Sequence, residues 1–265
     1  MPAPVATPAP VALPVKPKPG ISFAYSAPAV GSIESVVDML DTDMEIDAGK
    51  QKVKAVNGRT KKFTVKTLAV ADNKVSKLEV AYAVSKETKS LGGKKEEVVN
   101  PQSGKSYWVE GDASKLTVTS PKGDKVSDEE SKAVIKDFDD TFGQVPRMAR
   151  IVASKTWTLK EKVVLTPADF AILNEKSDAP IGKEGTITLT SKNAKTATFV
   201  IEIVAALKND KVDLQLPSLR MDAIVDVKTL RPTELKMSSK MNGTAQGMPV
   251  SGSIKGVKKS TMKAK

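Results

Sequence analysis

Residues 127–142 read SDEESKAVIKDFDDTF and form the one long stretch of this chain with the period of an amphipathic helix. Ser127 and Glu130 have the spacing of a capping box, in which each side chain satisfies a free backbone N–H group at the start of a helix. Gly143 and Pro146 favour a stop at the other end. We therefore predict one helix over 127–142, in the middle of a chain that otherwise alternates like strands.

The predicted helix has one apolar side. Val134, Phe138 and Phe142 recur at i, i+4 and i+8, and Ile135 lies beside them. The charged side chains that fall mainly on the other side are Lys132, Lys136, Asp137 and Asp140. This pattern predicts a core helix packed on a sheet. The alternative is a helix that lines or closes an apolar ligand cavity.

Strand-like alternation fills both flanks of the helix. In the second half, strands are expected near 211–216 and 221–228, and a turn between strands is expected at Asn242-Gly243. Residues 144–154 look irregular, and Thr166 to Asp169 read as the cap and first turn of a short helix. The fold class that follows is mainly β (α+β), with a large curved antiparallel sheet or unclosed barrel packed on one central helix.

A charged hairpin is predicted near the start of the folded region. Acidic residues alternate with apolar ones at positions 41, 43, 45 and 47, and lysines at 50, 52 and 54 follow a turn at Ala48-Gly49. A hairpin would place the two rows opposite each other as cross-strand pairs. The alternative is a calcium loop, but the spacing lacks the glycine that such a loop needs at its sixth position.

Composition excludes several kinds of chemistry. The chain has no cysteine and no histidine, so it can form no disulfide, thiol nucleophile, Ser-His-Asp triad or zinc site of the usual type. No phosphate-binding loop, nucleophile elbow or metal-ligand cluster is found, and no apolar run is long enough for a transmembrane helix. We therefore expect a protein that is not an enzyme, with no cofactor, no catalytic residue and no metal site.

The net charge of +11 invites a nucleic-acid partner, but its distribution argues against one. Seven lysines lie in the first 20 and last 12 residues, where no acid occurs, and without them the net charge falls to +4. Only five of the 42 basic residues are arginine, the usual bidentate reader of phosphate and guanine. The two lysine-rich ends instead favour weak attraction to anionic surfaces.

The chain divides by composition into three parts. Residues 1–20 hold seven of the 16 prolines and read as a disordered tether, residues 21–257 as a single β-rich domain, and residues 258–265 as a basic tail. Similar hairpin patterns beginning at Phe63 and Phe199 suggest pseudo-duplicated halves, 33–126 and 155–257, around the helix; chance similarity is the alternative.

The Pro/Ala tether directly after Met1 is typical of an exported chain whose leader was replaced. It therefore predicts the periplasm or an outer-membrane-anchored location in a bacterial envelope, with a lipid anchor on the native N-terminus. The alternative is a disordered arm of a cytoplasmic protein.

The order of elements resembles bacterial envelope proteins of the LolA, LolB and LppX type. Trp157 to Leu165, the hairpin Thr196–Leu216 and the strands over Met221–Met241 are also similar to β-rich bacterial lipoproteins. The resemblance implies a curved, unclosed barrel that carries a lipid or acyl chain beneath covering helices. The expected function is non-catalytic binding of a hydrophobic or amphiphilic ligand, and the alternative is a scaffold or assembly subunit of an envelope complex. The residues expected to line the cavity are Val134, Ile135, Phe138, Phe142, Trp157 and Phe170.

Overall fold

The computed structural model describes residues 20–49, 51–112, 115–175, 181–209 and 212–263. Within these residues it contains three helices and twelve strands. The helices are α1 (Asp128–Phe138), α2 (Arg147–Ala153) and α3 (Pro167–Leu173). The strands are β1 (Ile33–Asp47), β2 (Lys52–Ala71), β3 (Lys74–Leu91), β4 (Lys94–Val99), β5 (Ser106–Gly111), β6 (Leu116–Thr119), β7 (Lys162–Val164), β8 (Ile181–Lys192), β9 (Thr196–Asn209), β10 (Val212–Asp226), β11 (Pro232–Ala245) and β12 (Met248–Lys263).

All described strands belong to one antiparallel sheet in the order β6-β5-β3-β2-β1-β12-β11-β10-β9-β8-β7, with β4 paired to β3. The chain runs outward from the centre to β6, continues through α1 and α2 to β7, and then runs inward to the centre, with α3 between β7 and β8. The first and last strands therefore pair with each other in the middle, and β6 and β7 end the sheet without pairing. The predicted fold, a large curved antiparallel sheet that does not close, is confirmed.

The predicted charged hairpin is present as β1 and β2. Glu45 lies opposite Lys54 and Asp47 opposite Lys52. The ion pairs form diagonally, with Lys52 Nζ 2.6 Å from Glu45 Oε1 and Lys54 Nζ 3.1 Å from Asp43 Oδ2. The acids lie in an extended strand and not in a loop, and among the described residues no group of three or more carboxylate, His or Cys side chains could hold a metal ion.

Helix α1 begins with the predicted capping box. The Ser127 hydroxyl accepts a hydrogen bond from the Glu130 backbone N–H, and the Glu130 carboxylate accepts one from the Ser127 backbone N–H. Lys105 Nζ lies 2.5 Å from Glu130, and the Tyr107 hydroxyl donates to the same carboxylate at 3.0 Å. The hydrogen bond from Lys105, followed by that from Ser127, lowers the pKa of Glu130 to about 2. The start of α1 is thus fixed to β5 by charge-assisted hydrogen bonds.

Helix α1 is shorter than predicted, because it ends at Phe138 and a turn follows. The apolar stripe is nevertheless real: Val134, Phe138 and Phe142 are all buried in one cluster with strands β1–β3, β5 and β6. The prediction that Asp137 lies on the solvent side is wrong. Its side chain is 11% exposed, forms an ion pair with Lys61 of β2, and accepts a hydrogen bond from the Tyr82 hydroxyl at 2.8 Å.

A second apolar cluster packs β8–β11 against α2, α3 and the segment that enters from the N-terminus. Residues 144–154 are not irregular throughout, since α2 spans most of them and buries Ala149, Ile151 and Val152. The predicted cap of α3 is confirmed, with the Thr166 hydroxyl accepting from the Asp169 backbone N–H. Burial opposes ionisation of Asp169, but hydrogen bonds from Lys155 and Thr166 outweigh it and lower its pKa.

Three sequence-based boundaries need correction. The expected strands 211–216 and 221–228 are one strand, β10, interrupted by a bulge between Leu216 and Leu219. Asn242-Gly243 does not end a strand; the turn follows at Gln246 and Gly247, which have φ of 51° and 78°. Residues 258–263 are not a tail, because β12 continues to Lys263 in register with β1. Residues 1–19 and 264–265 lie outside the described residues.

The two apolar clusters lie in the two strand-rich halves that the sequence suggests, one with α1 and the other with α2 and α3. An ancient duplication of these halves remains a prediction. None of the described helices, the longest of which has 11 residues, is long and apolar enough to cross a membrane.

Candidate binding groove

A groove of about 790 Å³ crosses strands β7 to β12. We call it the transverse groove, because it runs across the strands and not along them. Its lining residues on β7–β9 are Val164, Glu184, Gly185, Thr186, Glu202, Ile203 and Val204. On β10–β12 they are Pro217, Ser218, Leu219, Arg220, Ser238, Ser239, Lys240, Ser253, Ile254 and Lys255.

Strand register explains the shape of the transverse groove. Residues that pair directly point to the same face, so one wall is a row of successive partners: Val164, Thr186, Glu202, Arg220, Ser238 and Lys255. The second wall is the next row of partners on the same face. It lies two residues later on β9 and β11 and two residues earlier on β8 and β12, and it includes Glu184, Val204, Lys240 and Ser253. Five interstrand steps of about 4.8 Å make the groove about 24 Å long.

The transverse groove lies on the face of the sheet that points away from the helices. Ile187 and Ile201 alternate with Thr186 and Glu202 along β8 and β9, so they point to the other face. Both isoleucines are buried in the same cluster as Ile151 of α2. The helix-covered face is therefore occupied by packed side chains at these strands, and the open space is on the opposite face.

Local irregularities in β8 and β10 shape the groove. The bulge between Leu216 and Leu219 puts Pro217 and Ser218 into its lining, and β-bulges bend a strand and redirect its side chains. At Gly185, a Cβ atom would lie 2.6 Å from the Glu202 carbonyl oxygen. A side chain at this position would collide with the backbone of β9, so glycine is required there.

Charges near β9 and β10 are balanced within the protein. Arg220 donates to both carboxylate oxygens of Asp222, at 3.1 and 2.8 Å, and its Nη1 lies 3.4 Å from Glu202. Glu202 is also 3.3 Å from Lys162 Nζ. These four side chains carry two positive and two negative charges, so this part of the groove attracts neither sign of ligand strongly.

The residues predicted from sequence to line a cavity lie elsewhere, in two separate groups. Val134, Phe138 and Phe142 are buried in the cluster around α1, and Ile135 packs against it. Trp157 and Phe170 belong to the other cluster. Of the six, Phe170 contributes to a second, smaller cavity of about 370 Å³ beside α3. None of the six lines the transverse groove.

Sequence reasoning missed the groove because its walls read as an ordinary solvent-exposed strand face. Thr186, Glu202, Ser238 and Lys255 are the polar positions of alternating strands, and nothing local distinguishes them. The available signal was Pro217-Ser218, since proline within a strand is typical of an edge or a bulge.

Comparisons with known proteins give little guidance. No family model matches the chain, and no curated protein is similar to it. Among solved structures, lipovitellin, determined in a study of its lipid–protein interactions, is 6% identical with a TM-score of 0.47, over 89% of this chain and 26% of that one. This chain thus spans about a quarter of the lipovitellin chain.

Two further structures show weaker likeness. DynF, from the dynemicin biosynthesis pathway of Micromonospora chersina, is 7% identical with a TM-score of 0.25, over 91% of this chain and 85% of that one. An acetoacetate decarboxylase-like enzyme from Sphingomonas wittichii RW1 is 8% identical with a TM-score of 0.13, over 89% and 96%. All three scores are too low to establish a shared fold or function.

Proposed function

We propose that the transverse groove binds an amphiphile, a molecule with an apolar chain and a polar head, without converting it chemically. The observation that carries this proposal is the size of the groove together with its mixed lining. At about 790 Å³ it lies within the roughly 300–1,000 Å³ that is typical of small-molecule sites. Its length of about 24 Å suits an extended chain laid across the strands.

Apolar surface at one end of the groove supports this assignment. Val164 is 69% exposed, and Val204 and Pro217 lie on the same path. The aliphatic stems of Arg220 and Lys240 add apolar surface below their charged ends. Covering this surface with an alkyl chain would gain about 0.8 kcal/mol for each buried CH₂ group.

Substitution within the groove tests the proposal. Val204→Glu places a carboxylate where the alkyl chain would lie, and we expect it to weaken binding of a fluorescent fatty acid by about tenfold or more, measured by titration. Val200→Glu is the matched control, because Val200 lies on the same strand and face as Val204 but outside the groove lining.

The control should bind like the wild type, and both variants should keep the wild-type thermal midpoint. A wild-type protein without a saturable signal would contradict the proposal. Equal binding by Val204→Glu and Val200→Glu would contradict it as well.

We further propose that the protein is a lipid-binding component of the bacterial envelope, in the manner of the LolA, LolB and LppX type. The Pro/Ala-rich segment 1–20 and the open antiparallel sheet support this placement. Fractionation of the native host should recover the protein with the periplasm or outer membrane. Recovery with the cytoplasm would contradict the placement and leave the binding proposal intact.

The alternative function, a scaffold subunit of an envelope complex, is favoured by one observation. The hairpin of β3 and β4 leaves Leu91 59% and Val99 65% exposed. A partner protein that is captured by the wild type and lost with Leu91→Ser/Val99→Ser would favour this function over amphiphile binding.

A further inference from the structure

The end of the transverse groove formed by β11 and β12 differs from the rest in its charge. Lys240 lies directly opposite Ser253, and Lys255 directly opposite Ser238, so all four side chains point to the groove face. The two lysines are diagonal neighbours on adjacent strands, a relation that separates Cβ atoms by about 7–8 Å or less. Two ammonium groups and two hydroxyl groups therefore surround one small area.

These two lysines are not paired with carboxylates as Arg220, the third cation of the groove lining, is. Among the ion pairs of the described residues none involves Lys240 or Lys255, whereas Arg220 is paired with Asp222 and Glu202. The acids nearest in register are on β1. Asp43, opposite Ser253, pairs with Lys54, and Asp41 lies opposite Lys255 without forming an ion pair with it. The two ammonium groups of Lys240 and Lys255 therefore have at most one nearby carboxylate that forms no ion pair with another described residue, that of Asp41.

Resting on the proposed function, we propose that Lys240 and Lys255 bind the anionic head of the amphiphile, a carboxylate or a phosphate. The head would lie between the two ammonium groups and accept hydrogen bonds from Ser238 and Ser253, and charge-assisted hydrogen bonds of this kind are the stronger ones. The chain would then run toward β7, over Val204 and Val164, which supply apolar surface from β9 and β7.

This arrangement assigns a direction to the ligand and a selectivity to the site. The charges of Arg220, Glu202, Asp222 and Lys162, on β7, β9 and β10, compensate one another, so the uncompensated positive charge lies at the end formed by β11 and β12. A neutral amphiphile with the same chain makes the same apolar contacts but cannot form the ionic contacts with Lys240 and Lys255. Anionic amphiphiles should therefore bind in preference to neutral ones, and added salt should reduce that preference.

The test compares ligands that share a 16-carbon chain and differ in the head: hexadecanoate, hexadecyl phosphate and the neutral hexadecanol, measured by displacement of a fluorescent fatty acid. The wild type should bind the two anionic ligands about tenfold or more tightly than the alcohol. Lys240→Gln/Lys255→Gln should lose that preference and bind the alcohol unchanged.

The matched control is Lys236→Gln/Lys259→Gln, which removes the same charge from the same strands and face, outside the groove lining. It should keep the wild-type preference. Inorganic phosphate and acetate should not displace the probe at concentrations where the amphiphiles do.

Equal binding of all three amphiphiles by the wild type would overturn the head-group assignment and leave the proposed function standing. An unchanged preference in Lys240→Gln/Lys255→Gln would overturn it too. Displacement by inorganic phosphate as effective as that by hexadecyl phosphate would identify a free-anion site and contradict it. No binding of any amphiphile by the wild type would overturn both proposals.

Discussion

Asp137→Leu will lower the free energy of unfolding by about 3–5 kcal/mol, because it leaves a buried charge without its partner. Lys61 and Asp137 form an ion pair in which the two side chains are only 9% and 11% exposed. The Tyr82 hydroxyl donates to the same carboxylate, and burial, followed by the nearby Asp137 charge, raises the pKa of Tyr82 far above its ordinary value. Chemical denaturation monitored by circular dichroism measures the loss.

The control for this prediction removes the whole polar group at once. Lys61→Met/Tyr82→Phe/Asp137→Leu leaves no unpaired polar atom, and replacing a buried ion pair by apolar side chains is often neutral or stabilising. We expect the triple variant to be more stable than Asp137→Leu alone. If Asp137→Leu unfolds within about 1 kcal/mol of the wild type, the contact between α1 and the sheet does not depend on this pair.

Trp157→Ala will have an effect of similar size, about 3–5 kcal/mol, through loss of packing in the second cluster. Trp157 is 0% exposed, its ring centroid lies 5.1 Å from that of Phe199, and its indole N–H donates to the Val152 carbonyl oxygen at 2.9 Å. Its backbone also pairs with that of Ile21, so Trp157 connects the segment that precedes β1, helix α2 and the sheet.

The other tryptophan of the chain provides the comparison for Trp157. Trp108 lies on β5, is half-buried, and has Lys77 Nζ 5.1 Å from its ring centroid. Because its ring already contacts solvent, we expect Trp108→Ala to cost less than about 1.5 kcal/mol in the same denaturation experiment. Equal losses for the two variants would contradict the placement of Trp157 at the centre of the second cluster.

Features that depend on near neighbours in sequence could be predicted. The capping box of Ser127 and Glu130 spans four residues, and the acidic and basic rows of β1 and β2 are joined by one short turn. Strand alternation also predicted a strand-rich chain, because period-two burial is a property of each strand by itself, and the resemblance to envelope proteins implied that the sheet does not close.

Features that depend on distant pairing could not be predicted. Asp137 is drawn to the sheet by Lys61, 76 residues away, and the helical period alone places it on the solvent side. Residues 258–263 form a strand because β1, near the other end of the domain, supplies its partners, such as Asp38 opposite Lys258. The seven-residue helix α2 has no side-chain cap to mark its start.

The transverse groove is the clearest example of a feature that depends on pairing between distant residues. Its walls come from β7–β12, and which residues share a wall depends on the register of five strand pairs and on the bulge in β10. The sequence pattern instead predicted that large apolar side chains, Trp157 and Phe138 among them, line the cavity. These side chains pack the interior, as large apolar residues usually do.

Photolabelling with a diazirine-bearing hexadecanoate reports where the chain of a bound amphiphile lies. We expect crosslinks, located by mass spectrometry, on groove residues of β8–β10 such as Thr186, Val204 and Ser218, and their loss when excess hexadecanoate competes. Competed crosslinks confined to α1 and its cluster, around Val134 and Phe138, would instead place the bound chain in a helix-lined cavity and rule out the transverse groove as the binding site.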